Sequence, residues 1–192
     1  MTAAHQTQRT DPRGETLLSL ARAAIEAVLG GPPLPPGMPE PWLDAPGACF
    51  VTLKQDGQLR GCIGNILPQG SLREAVIRNA QSAATRDPRF MPMKRDELDH
   101  TQIEISLLSA MESIPADSEA ALLAALRPGT DGLLLTARGR SAVFIPSVWE
   151  QLPDKREFLD HLRAKGHFPR DRWLPDTRAE RFTAEHWEEP PR

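Results

Sequence analysis

From Glu15 to Leu29 the apolar positions Leu17, Leu18, Ala21, Ala24, Ile25 and Val28 recur at helical spacing, and Gly30-Gly31 stops the run. The proline-rich stretch 32–46 reads as an extended loop, since proline donates no backbone hydrogen bond. Two short runs follow, 49–54 and 58–63, separated by Gln55-Asp56-Gly57, which predicts a β-hairpin. Ser71-Leu72-Arg73-Glu74 has the spacing of a capping box, and Leu72, Ala75, Val76, Ala80 and Ala83 continue it as a buried helical stripe to about Arg86. Asp87 precedes Pro88 and so leaves the helix. Strict alternation of Ile103, Ile105 and Leu107 with Glu104 and Ser106 predicts a half-buried strand over 101–109.

The second half repeats this order. Asp117 or Ser118 caps a short helix reaching Leu126, and Arg127-Pro128-Gly129 ends it. Gly132–Ala137 and Ser141–Ile145 form a hairpin about Arg138-Gly139, Asp154–Lys165 is a helix closed by Gly166, and 177–187 supplies one last strand. Helix, hairpin, helix, strand thus occurs twice, with Gly57 and Gly139 at equivalent turns. The expectation is an α+β fold of two lobes related by internal duplication, resting on element order rather than residue identity.

The register of the first hairpin decides which side chains share a face. A two-residue Asp56-Gly57 turn sets Leu53 opposite Arg60 and mixes apolar with charged groups. A three-residue loop with Gly57 left-handed instead pairs Leu53 with Leu59 and Val51 with Gly61. That register is expected. It puts Val51, Leu53, Leu59 and Ile63 on one face, and Thr52, Lys54, Arg60 and Cys62 on the other.

Composition narrows the function classes. The 192 residues, 40% hydrophobic and 26% charged, suffice for a sizeable core. A net charge of −3 argues against a chain-wide design for nucleic acid. Two cysteines, no leader pattern and no apolar run of about 18 residues point to a cytoplasmic chain with reduced thiols and no membrane span.

Candidate chemistry centres on Arg60-Gly61-Cys62. Same-face strand neighbours lie about 6.5–7 Å apart, where a guanidinium favours a thiolate, so Cys62 can be a nucleophile or redox centre. Gly61 and Gly64 leave room for a ligand or another backbone. The plainer reading of Cys62 is an inert buried thiol, because unpaired cysteine is among the most buried residue types. Cys49 falls on the apolar face and reads as core. Glu104 can serve as a base, although most such carboxylates simply face water. Asp87 and Arg89 bracket Pro88, as a structural ion pair or as ligand contacts. Trp149, between Pro146 and Pro153, reads as a core plug rather than a recognition surface. The five histidines show no metal-ligand spacing, and no phosphate loop, nucleophile elbow or dinucleotide fingerprint occurs.

The runs Phe50-Val-Thr-Leu53, Leu59-Arg-Gly-Cys-Ile-Gly64, Asn79-Ala80, Asp87-Pro-Arg-Phe90, Ile103-Glu-Ile-Ser106, Asp131-Gly132 and Pro146-Ser-Val-Trp-Glu-Gln-Leu-Pro153 resemble the AMMECR domain family. The likeness covers roughly residues 14–185, and Leu59–Gly64 is its most specific element. It implies an AMMECR-like domain over 15–187, followed by a tail 188–192, while the polar residues 1–14 are expected to fray. It also implies two unequal lobes with a cleft, and a three-component association with a Memo-like protein and a radical SAM enzyme. It brings no established activity and no cofactor. It treats Leu59–Gly64 as the functional element, and Glu104, Asp87, Arg89 and Trp149 fall in matching runs without an assigned role. The leading expectation is an accessory or binding protein acting with those partners beside Leu59–Gly64. The alternatives are a small-molecule enzyme using Cys62, Arg60 and Glu104, and a nucleic-acid factor using Arg60, Arg73, Arg78 and Arg89.

Overall fold

The computed structural model describes residues 11–35 and 40–191. The segment expected to fray, 1–14, lies outside them up to residue 10, and so do residues 36–39 of the proline-rich loop. The described residues form two compact units, one built from those between 11 and 108 together with 185–191, the other from 109–184.

In the first unit, α1 (Pro12–Val28) starts where the Asp11 side chain accepts the Arg13 N–H at 2.9 Å and Pro12 presets φ. Gly30, at φ 82°, takes the left-handed residue that ends it. The hairpin strands are β1 (Cys49–Gln55) and β2 (Gln58–Gly64). The capping box predicted at Ser71 is present: Ser71 Oγ accepts the Glu74 N–H at 3.2 Å, and Glu74 accepts the Ser71 N–H at 3.0 Å, opening α2 (Leu72–Thr85). After a 3-10 turn (Arg95–His100), β3 (Gln102–Leu108) pairs antiparallel with β1. Leu17, Ala21, Ala24 and Ile25 of α1 pack with Ala75, Val76, Ala80 and Ala83 of α2 over Val51, Leu53, Ile103 and Ile105 of the sheet.

In the second unit, β4 (Glu112–Ile114) precedes α3 (Glu119–Ala125), which Ser118 caps. The hairpin β5 (Gly132–Ala137) and β6 (Arg140–Phe144) leads to α4 (Lys155–Lys165), capped by Asp154, and then to β7 (Arg178–Phe182). Trp149 is a core plug: it stacks on Phe158 with centroids 3.8 Å apart and donates its indole N–H to the Asp131 carbonyl at 2.6 Å. The single tail strand expected over 177–187 is corrected to two, because β8 (Ala184–Glu188) joins the sheet of the first unit.

The sheets run β2-β1-β3-β8 and β6-β5-β7-β4. In both, the first hairpin strand is central and pairs with the strand that follows the helix, so the repeated element order becomes a repeated topology. Each sheet's fourth strand directly follows the third strand of the other. Among the described residues no helix is long and apolar enough to cross a membrane.

The expected register of the first hairpin is corrected. The turn is the two-residue one, with Asp56 at φ 49° and Gly57 at φ 74°, the left-handed pair whose twist suits a tight hairpin. A bulge then skips Arg60, so Lys54 faces Leu59 while Leu53 faces Gly61, Thr52 faces Cys62 and Val51 faces Ile63. One extra residue keeps the apolar positions on the helix side without a longer loop, and Leu59 moves to the Thr52 side, 43% exposed.

Candidate functional site

β2 is the edge strand of its sheet, and Cys62 stands just past its midpoint. Across the sheet Thr52 lies opposite Cys62, and Glu104 lies opposite Thr52, so a thiol, a hydroxyl and a carboxylate form one row on the side away from the helices. The Thr52 hydroxyl donates to Cys62 Sγ at 3.3 Å. Cys62 is half-buried rather than sealed, whereas Cys49 is fully buried in the core as expected. Burial pushes the Cys49 thiol up to about 11, against the opposing hydrogen bond from Asn79.

Arg60 does not accompany Cys62, and this expectation is corrected. As the bulge residue it leaves the alternation of the strand, and its guanidinium is held by Glu97 at 2.8 and 3.1 Å and by the Met91 carbonyl at 3.1 Å. Arg60 in turn holds the Glu97 carboxyl down to about 2, against burial and with help from the Lys94 N–H and Gln55.

Arg89 is the guanidinium that reaches the Cys62 edge, and it does so through the backbone. Its Nη2 donates to the Cys62 carbonyl at 3.3 Å. The buried Asp87 accepts the Cys62 N–H at 2.8 Å and the Arg89 N–H, Nε and Nη2 at 3.1, 3.0 and 2.7 Å. The Arg89 hydrogen bonds, opposed by burial and reinforced by the two backbone N–H groups, hold the Asp87 carboxyl far below the usual carboxylate range. Asp87 and Arg89 therefore cover both backbone polar groups of Cys62 at the sheet edge, as a neighbouring strand would. Their geometry is that of the structural ion pair foreseen as one alternative.

The glycines serve packing. A Cβ on Gly61 would lie 2.3 Å from the Ala83 carbonyl oxygen of α2, and one on Gly64 would strike the Phe50 ring at 2.2 Å. The room they leave is occupied by the protein itself, by backbone at Gly61 and first of all by a ring at Gly64.

Glu104 pairs with Lys54 at 2.6 Å, and Lys54 also reaches Glu188 at 2.9 Å. Burial draws the Lys54 pKa down, but the two carboxylates outweigh it and the net shift is upward, which keeps the ammonium charged. His186 offers the same ring nitrogen, Nδ1, to Ser106 Oγ at 2.9 Å and to Glu104 at 3.9 Å. A catalytic triad needs the two ring nitrogens for these two jobs, so the grouping is not one.

Sequence reasoning overlooked Glu97, His186 and the part played by Thr52. Glu97 lies in a 3-10 turn with no periodic signal, and His186 in a strand that only the sheet brings beside β3. Thr52 shares a face with Cys62 in the expected register but is set there opposite Arg60, and only the bulge brings it opposite Cys62.

The AMMECR1 family profile matches residues 18–187. A protein of Methanothermobacter thermautotrophicus is 39% identical over 92% of this chain and 94% of its own. One of Thermococcus gammatolerans is 40% identical over 93% and 91%. The crystal structure of an uncharacterised protein from Pyrococcus horikoshii superposes with a TM-score of 0.82 at 37% identity, covering 95% of this chain and 94% of that one. The match takes in the hairpin with its Cys62 row, both hairpin sheets and the Asp87-Arg89 turn, and the chain belongs to the AMMECR1 family.

Proposed function

We propose that this chain is an accessory binding protein whose working surface is the side of the first sheet that carries Cys62. The observation that supports this reading is the row Cys62, Thr52 and Glu104 on three adjacent strands. At about 4.8 Å between strands the row spans roughly 10 Å, the size of a small metabolite. The frame behind it is stiff, because Asp87 and Arg89 fix the Cys62 backbone and α2 presses on Gly61. A preformed site spares a ligand part of the ordering cost of binding. Glu104 is engaged with Lys54, which suits holding a ligand better than moving protons. An accessory role also suits the association with a Memo-like protein and a radical SAM enzyme that the resemblance implies.

The test is native mass spectrometry of the intact chain purified from its host, beside the Cys62→Ser, Thr52→Val double variant. A small-molecule mass on the parent, lost from the variant, is expected. A parent carrying no such mass, and whose melting temperature host metabolite extract does not shift, defeats the reading; so does a ligand retained by the variant.

Thiol catalysis is the second reading, favoured by a half-buried sulfur beside the Thr52 hydroxyl and Arg89. It requires Cys62 to react with iodoacetamide at pH 7 faster than a free cysteine peptide. An equal or slower rate removes it.

A further inference from the structure

We propose that the open groove between α1 and α2 is a binding site for a small phosphorylated molecule with an apolar body. It lies within the first unit, on the solvent side of α2, and goes beyond the ligand reading, which concerns the sheet face.

The groove has a volume of about 360 Å³, in the range of small-ligand clefts. Val28, in the last turn of α1, and Ile77 of α2 supply its apolar lining, and Arg78, Ser82 and Arg86 its polar lining. It is largely preformed, because Gln81 Nε2 donates to the Ala24 carbonyl at 3.4 Å and fastens the two helices to each other there. Arg78, Ser82 and Arg86 follow one another at four-residue intervals. They therefore make one row along α2, each about 6 Å further along its axis.

The row is the part of the first unit whose cations are uncommitted. Of the eight described arginines of that unit, Arg13, Arg22, Arg60, Arg73 and Arg89 hold carboxylates and Arg95 holds the Gly30 carbonyl. The two that hold neither, Arg78 and Arg86, both line this groove and are exposed. The half-buried Ser82 hydroxyl between them has no hydrogen-bond partner among the described residues, whereas Thr85 one turn on spends its hydroxyl on the Gln81 carbonyl at 2.7 Å. Glu74 is the one carboxylate in the lining. It accepts the Ser71 N–H at 3.0 Å in the capping box and pairs with neither arginine. The negative end of α2 opposes an anion, but its carbonyls are taken: that of Ser82 accepts the Arg86 N–H at 2.7 Å and that of Ala84 the Met93 N–H at 2.8 Å.

The donor set selects phosphate over carboxylate. Two guanidinium forks and a hydroxyl converge better on the three acceptor oxygens of a phosphate ester than on the two coplanar oxygens of a carboxylate. The ester's charge of about −1.5 to −2 at pH 7 is also the complement of two arginines. Val28 and Ile77 then take the apolar body. A single-stranded nucleic acid would need a ring to stack on, and no aromatic side chain lines the groove.

The experiment titrates the isotope-labelled full chain with phenyl phosphate at low salt and follows the backbone amide resonances. Saturating shifts centred on Val28 and residues 77–86 are expected, with a dissociation constant of about 1 mM or tighter. Inorganic phosphate, which lacks the apolar body, should bind at least about threefold more weakly. The Arg78→Gln, Arg86→Gln double variant should lose about tenfold or more in affinity at unchanged melting temperature, and Ser82→Ala about threefold. Affinity should rise as the pH passes about 6, where the ester takes its second charge. Shifts that do not saturate, that move the Thr52 and Cys62 amides instead, or that survive the double variant would each overturn the proposal. So would phenol binding as well as phenyl phosphate, or mixed-sequence single-stranded RNA binding the same residues more tightly.

Discussion

Replacing Asp87 by Ala tests whether the Asp87-Arg89 pair holds the edge strand. The substitution deletes four hydrogen bonds and leaves the Cys62 N–H and the Arg89 guanidinium without their acceptor. Stranding one partner of a buried pair costs about 3–5 kcal/mol. The Arg89 side chain is 53% exposed and can turn to water, which lowers that figure. The Cys62 N–H adds about 1–3 kcal/mol if it finds no other acceptor. A loss of about 2–4 kcal/mol follows, or roughly 5–15 °C in melting temperature for a chain of this size. The pH dependence carries the sharper signature. The folded Asp87 pKa lies below its unfolded value of about 3.9, so its stabilisation is complete above that value and lost as pH falls toward the folded one. The gap between parent and variant, measured by urea denaturation, therefore holds from pH 8 to 5 and narrows below about pH 4, by at most about 1.4 kcal/mol per pH unit. Glu97 is common to both proteins and cancels in the difference. A gap under about 1 kcal/mol at pH 7, or one that stays constant down to pH 3, refutes the account.

Thiol titration of the native protein with a disulfide reagent should consume one equivalent, from Cys62, and a second only on unfolding; two in the native state would contradict the burial of Cys49. Arg60→Met should destabilise the fold by about 1–3 kcal/mol through Glu97 yet leave Cys62 alkylation within about twofold, whereas Arg89→Met should change that rate by about threefold or more. Equal effects of the two on the thiol would restore the pairing of Arg60 with Cys62. Gly61→Ala should cost at least about 1–3 kcal/mol, since its methyl meets a helix carbonyl rather than a mobile side chain. An unchanged urea midpoint would show that α2 yields freely.

The elements were legible because each carries a local cause. The Ser71-Glu74 box, the glycines after α1 and α4, and the alternation over 101–109 act within a few residues, and they set α2, the helix ends and β3 where expected. The duplicated order was legible for the same reason. What local pattern could not reach was anything settled by a second segment. The bulge at Arg60 exists because the helix side of β1 and β2 must remain apolar while the turn stays tight, and that balance involves α2 and β3 as much as the hairpin. The tail split into β7 and β8 because two separate sheets each accept a strand.

The same division runs through the site. By itself the sequence determined that Cys62 and Thr52 stand on one face of a hairpin and that Asp87 and Arg89 turn tightly after a helix, because those are consequences of period and of proline; that Thr52 lies opposite Cys62 came only with the bulge. Only the tertiary structure decided which guanidinium meets which partner. Arg60 and Arg89 are equally cationic in the sequence, and the difference between them lies in a bulge that aims one at Glu97 and a turn that brings the other, on the buried Asp87, to the Cys62 edge. Long side chains find their charges across the fold, and that geometry is not written in neighbouring residues.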